Sequence, residues 1–272
     1  MSTLHPFDQA MALHHSDLRS GLFTGATSPD YWNMVGPFGG TTAALALQAV
    51  LRHPDLLGEP VALTVNFAAA VEAGQFEVLA TPVRTNRSTQ HWTVVISQNG
   101  QVNTTATVFT ALRRETWSES DVPMPEVQRP DDVTPIRIGP EGVAWLGQYE
   151  MRPVSGQPPS VWDGSGTHSE SLLWVREHPQ RALDFASLAA MSDVFFPRVW
   201  LRRAHRVPAG TVSITTYFHA DAAVLANVGT GFLLGRARAQ RFFNGYFDQS
   251  AHLWSEAGHL LATSNQIVYY KE

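Results

Sequence analysis

Between Thr41 and Leu51 the chain carries no charged residue, and Gly39-Gly40 immediately before it break the preceding chain. Such a stretch is a strong helix candidate. A helix that is apolar all round has to be buried on all sides. No other feature limits the fold as much, because the rest of the chain must supply the cover.

The segments C-terminal to this helix read as strands. The runs are residues 60–71 ("PVALTVNFAAAV"), 74–84 ("GQFEVLATPVR") and 91–112 ("HWTVVISQNGQVNTTATVFTAL"). The last holds Asn99-Gly100 between alternating segments, the strongest short-range hairpin signal. The second half repeats the plan. Residues 184–195, or a little more, form a second apolar helix with Asp184 as its N-cap. Strand-like runs come next at 210–220, 231–243, 246–254 and 259–270. "LTVNFAAAV" matches "ITTYFHADA", and "SQNGQVNTTATVF" matches "SEAGHLLATSNQIV". Matching segments lie roughly 150–160 residues apart, which indicates a duplicated domain. The expected organisation is an N-terminal repeat over 1–117, a connection over 118–180 and a C-terminal repeat over 181–272. The connection is rich in Pro, Gly, Ser and acid. It is expected to hold little regular structure and to pack partly through Trp145, Trp162 and Trp174. Each repeat is one buried helix with an antiparallel meander after it, an α+β architecture. A curved sheet wrapped around a central helix is the economical way to cover it.

Composition narrows the function. Of 272 residues, 44% are apolar and 16% charged, with a formal net charge of −5. That supports a full core and, with no basic cluster, argues against nucleic acid as a partner. There is no cysteine, so disulfides and thiolate metal sites are excluded. The N-terminal residues lack the basic and apolar regions of a signal peptide, and no apolar run reaches the ~18 residues of a membrane span. A cytoplasmic protein is expected. The histidines show no metal-ligand spacing, and no metal or other cofactor is expected. "DGSGT" at 163–167 lacks the strand-to-helix setting of a nucleophile elbow, so a serine hydrolase is disfavoured.

Four motifs in order, "GPFGGTTAALAL", "MSDVFFPRVW", "GTVSITTYFH" and "GHLLATSNQ", carry a resemblance to the TesB-like acyl-CoA thioesterases, in their bacterial thioesterase-like branch. The resemblance spans nearly the whole chain apart from the connection. It implies a double hotdog fold and hydrolysis of an acyl-CoA thioester to free acid and coenzyme A. It implies a catalytic carboxylate, Asp193, on the second helix. It also implies two partners that hold the hydrolytic water, Thr211 early in the strand after that helix and Gln266 near the start of the last strand. Two departures stand out: Phe38 occupies the position of a histidine common in this branch, and "GTVSITTYFH" lacks an Asp-His pair.

The residues themselves agree with that chemistry. Thioester hydrolysis needs an activated water and a stabilised oxyanion, while the thiolate leaves readily. An ordinary Asp is too weak a base at neutral pH, but apolar neighbours at helical spacing (Ala189, Ala190, Phe196, Trp200) would raise its pKa. Thr211 and Gln266 are neutral and can bond a water without neutralising the carboxylate. Pro197 forbids a helix from running on past Asp193. Backbone N–H groups at Gly39, Gly40 and Thr41, where the first helix begins, are candidate oxyanion donors. The competing reading of Asp193 is a structural carboxylate paired with Arg198 or Arg202. Phe38, Phe195, Phe196, Trp200 and Tyr217 are candidate tunnel residues. Arginines 202, 203, 206, 236, 238 and 241 could meet the phosphates of coenzyme A, but solvated element ends account for most of them. A competing function is non-catalytic binding of an acyl-CoA or acyl-carrier ligand on the same fold. A hotdog hydratase would want a His paired with Asp in 184–200, where there is none. Open sheet edges suggest a homodimer or higher homo-oligomer.

Overall fold

Both apolar segments form helices in the computed structural model, which describes residues 4–136 and 143–272. The helices are α1 (Pro6–Ala10), α2 (Gly39–Leu51), α3 (Phe185–Met191) and α4 (Ala222–Val228). Ala44, Ala46, Leu47, Ala49 and Val50 of α2 and every residue of α3 are buried. Burying each large aliphatic side chain contributes about 1.5–3 kcal/mol, so these two helices anchor the core. Asp184 caps α3 as expected, accepting from the Ser187 N–H at 2.8 Å. The helix is shorter than predicted and ends at Met191 rather than near 195. Pro197 cannot donate to the Asp193 carbonyl, and the chain uses it instead to lead into a 3-10 turn over Arg198–Leu201.

The strands of the first half are β1 (His14–His15), β2 (Leu22–Ala26), β3 (Glu59–Phe67), β4 (Gln75–Thr85), β5 (Thr89–Gln98) and β6 (Gln101–Ala111). Those of the second are β7 (Tyr149–Ser155), β8 (Ser171–Glu177), β9 (Ala209–Phe218), β10 (Leu233–Arg238), β11 (Phe242–Phe243), β12 (Tyr246–Ser255) and β13 (Leu260–Tyr270). The β5–β6 hairpin turns at Asn99 and Gly100, with φ of 50° and 75°, the left-handed pair that a tight primed turn requires.

All strands join one antiparallel sheet in the order β1-β2-β4-β5-β6-β3-β9-β13-β12-β10-β8-β7, with β11 attached to β12. The halves meet at β3 and β9, registered from Ala62 opposite Tyr217 to Asn66 opposite Ser213. A Thr64–Thr215 hydroxyl contact of 2.9 Å crosses the join. Outward from there, β3-β6-β5-β4-β2 on one side mirrors β9-β13-β12-β10-β8 on the other. Each half-sheet wraps one apolar helix. The fold is a double hotdog.

The mirror corrects one expectation. Residues 118–180 do not lack regular structure: β7 and β8 lie within them, and β8 is the counterpart of β2, the strand preceding the helix in the first half. Their signal is diluted by the Pro- and Gly-rich segments on either side. Residues 137–142 of that stretch lie outside the described residues. Trp145 and Trp174 are buried, as anticipated. Among the described residues no helix is long and apolar enough to cross a membrane.

Candidate active site

The two central helices cross at closest approach where α2 begins and α3 ends. A Cβ on Gly40 would stand 2.5 Å from the Ala190 carbonyl oxygen, so only glycine permits that approach. The crossing places the first turn of α2 against Asp193, which lies two residues past α3 rather than on it. A Cβ on Gly39 would lie 2.8 Å from Asp193 Oδ2. The glycine pair thus makes room first for a helix and then for a carboxylate.

Gln266 and Thr211 reach the same place from the sheet. Gln266 Nε2 donates to Asp193 Oδ1 at 2.9 Å, and Thr211 Oγ1 donates to Gln266 Oε1 at 3.1 Å. Thr211 gets there through a bulge. β9 and β13 pair as Gln266–Ile214 and Ile267–Ser213, then slip so that Val268 faces Thr211. Ile214 points into the core, and by simple alternation Thr211, three residues earlier, would point out. The extra residue, Val212, bulges outward with 41% exposure and turns Thr211 back to the inner face. All three residues predicted to act together therefore converge.

They converge on a cavity of about 800 Å³, within the range of small-molecule sites. Its wall is mostly apolar, with Met34, Phe67, Trp145, Phe195, Phe196 and Trp200 among its residues. Phe38 also lines it, stacked on Trp145 with ring centres 4.1 Å apart. Tyr217 does not: it is 46% exposed and outside the cavity wall, because it sits at an outward position of β9. Gln249 was not anticipated. It is buried opposite Gln266 on β12 and lines the cavity. The signal was its parity, inward together with Phe247 and Ala251.

Asp193 lies deep in the protein, yet its surface is partly accessible, because it faces the cavity. Burial raises its pKa to about 7, against the pull of the Gln266 bond and a looser contact from the Gly40 N–H. Among the described residues no cation offsets that rise. Arg198 is buried but turns away: its guanidinium donates to the Phe196 carbonyl at 2.6 and 3.0 Å and to Ser171 Oγ at 2.5 Å. Arg202 is exposed and faces the Phe242 ring. The structural ion pair considered for Asp193 is not formed.

The three anticipated backbone donors separate. Gly39 lines the cavity. The Gly40 N–H is turned to Asp193. Thr41 is buried away from the cavity, and its hydroxyl donates to the Phe38 carbonyl at 2.7 Å. That leaves Gly39 as the one of the three whose residue lines the cavity without being turned to Asp193. Among the described residues no group of three or more metal-ligating side chains occurs.

Comparison with known proteins agrees with this fold. A solved structure from Alicyclobacillus acidocaldarius, described as a conserved protein of unknown function with a hot dog fold, is 46% identical. It covers 99% of both chains with a TM-score of 0.93. The acyl-CoA thioesterase II TesB2 from Mycobacterium marinum is 18% identical over 97% of this chain and 98% of its own, with a TM-score of 0.77. The tesB protein of Mycobacterium avium subs paratuberculosis is 16% identical over 99% and 100%, at 0.78. At such identities the last two share the fold alone. No curated protein matches the chain. The family model for the acyl-CoA thioesterase N-terminal domain matches residues 28–112, and the model for the C-terminal domain matches residues 120–270. On a match of that extent, the chain belongs to the acyl-CoA thioesterase family.

Proposed function

We propose that this protein hydrolyses acyl-CoA thioesters, with Asp193 as the general base that activates water. The observation that carries the reading is a carboxylate with no counter-ion among the described residues, facing a largely apolar cavity and tied to Gln266 at 2.9 Å. A pKa raised to about 7 suits a base working near neutral pH. Thr211 fixes the Gln266 carbonyl oxygen and so keeps the amide N–H groups directed at Asp193 and at a water beside it.

In this scheme Asp193 takes a proton from water as the water oxygen bonds to the thioester carbon. The carbonyl oxygen becomes an oxyanion, and the Gly39 N–H at the start of α2 supports the charge. The C–S bond then breaks, and the departing thiolate takes the proton from Asp193. The acyl group lies along the apolar wall. Water activation of this kind is worth about 10²–10⁴-fold. Asp193→Asn should therefore lower kcat by that factor, with folding unchanged, when thiol release is followed on a panel of acyl-CoAs. A variant that keeps full turnover removes Asp193 from the reaction. A wild-type protein that binds acyl-CoA and releases no thiol at any chain length is instead a ligand carrier.

A further inference from the structure

Only two charged residues line the cavity among those described, Asp193 and Arg206. Arg206 stands in the basic loop "RRAHR", residues 202–206, which links the 3-10 turn to β9. Its neighbours are spoken for or face elsewhere. Arg203 pairs with Glu272 at 2.7 Å, and Arg202 faces the Phe242 ring. Arg206 has no acidic partner among the described residues. It is exposed, and its guanidinium lies over the Trp200 ring, 4.3 Å from the ring centre. Trp200 is itself fixed, donating its indole N–H to the Val207 carbonyl at 2.8 Å and stacking on Phe196. A cation held over a rigid aromatic ring can keep hydrogen-bonding N–H groups free for a ligand. That fork matches a phosphate. An exposed cation on a mostly apolar wall is the opposite of what a fatty chain needs.

We infer that Arg206 receives a phosphate of the thiol carrier while the acyl chain occupies the apolar wall. This deepens the hydrolytic reading above and rests on it for turnover. The phosphate has two sources, coenzyme A or the phosphopantetheine arm of a carrier protein.

The test compares Arg206→Met with wild type on three thioesters of one acyl chain: acyl-CoA, acyl-4′-phosphopantetheine and acyl-pantetheine. An exposed ion pair contributes up to about 1 kcal/mol, so KM for acyl-CoA should rise about fivefold. KM for acyl-pantetheine, which has no phosphate, should not move. A rise shared with acyl-4′-phosphopantetheine places the contact on the phosphate common to both carriers, and a rise confined to acyl-CoA places it on the nucleotide portion. Added salt should raise the wild-type KM for acyl-CoA and leave the variant's nearly flat. Arg202→Met, in the same loop but off the cavity wall, serves as the control and should change none of these values. An equal change with acyl-pantetheine, or no change with acyl-CoA, overturns the assignment. Should no thioester be hydrolysed at all, the hydrolytic reading fails on its own. Calorimetric titration of both proteins with coenzyme A still decides the role of Arg206: weaker binding to Arg206→Met supports it, and equal binding refutes it.

Discussion

Replacing Gln266 with Met removes the amide donor that lies 2.9 Å from Asp193 while keeping the volume of the side chain. A hydrogen bond to a charged group contributes about 1.5–3 kcal/mol, and 1.36 kcal/mol corresponds to one pKa unit. Losing it destabilises the carboxylate relative to the neutral acid. The Asp193 pKa, held to about 7 partly by this bond, should therefore rise by at least about one pH unit. At pH 7 the ionised fraction would fall from about half to about one-tenth, a loss of activity of about fivefold. The assay is the pH dependence of kcat/KM for thioester hydrolysis. In the wild type, activity should climb with pH to a midpoint near 7 and then level off, because the ionised form is the base. In Gln266→Met the midpoint should move to higher pH, and activity lost at pH 7 should return by pH 9. The height of the alkaline plateau separately reports how much Gln266 positions the water. A midpoint that stays near 7, or moves down, would refute the coupling between these two side chains.

The glycine pair predicts a contrast between neighbours. Gly40→Ala drives a methyl against backbone, the Ala190 oxygen, at 2.5 Å, and should cost about 1–3 kcal/mol of stability by denaturant unfolding. Gly39→Ala meets side chains rather than backbone, crowding Asp193 at 2.8 Å and touching the Phe67 ring at 3.4 Å, and should cut kcat by tenfold or more on the scale of a misplaced catalytic group while changing the melting temperature little. Glu177 offers a test of stability alone. Burial raises its pKa to about 7, with the Ser187 hydroxyl bond and Arg181 opposing the rise. Its Oε2 and the hydroxyls of Tyr31 and Tyr149 are buried with no partner among the described residues. A carboxyl whose folded pKa lies above its unfolded value costs nothing while protonated in both states. Its penalty grows as pH rises from about 4.5 to about 7. Glu177→Gln should therefore melt higher than wild type at pH 8, by a few °C per kcal/mol recovered, and the advantage should vanish near pH 4. A difference between the two proteins that does not change with pH would rule out ionisation of Glu177 as its source.

Much of the fold was legible because it arises from local rules that the sequence writes directly. A charge-free helix demands cover, Asn99-Gly100 demands a tight turn, and repeated strand patterns demand a second copy of the first half. The strand β8 escaped notice because its seven residues sit between stretches whose composition reads as loop. Asp193 was conspicuous for a similar reason, since a lone carboxylate in apolar surroundings is costly unless something uses it. What the chain could not reveal was which way particular side chains face. Thr211 reaches the inner surface only because a bulge at Val212 reverses the alternation of β9, and the bulge arises from pairing with β13. Gln249 meets the cavity only through its register opposite Gln266. Gly40 was read as a donor for substrate, yet the crossing of α2 over α3 turns its N–H toward Asp193. Local composition and periodicity determine elements, because they depend on residues a few positions apart. Register, helix crossing and a cavity shared by both halves depend on atoms brought together from opposite ends of the chain, and only the tertiary structure decides them.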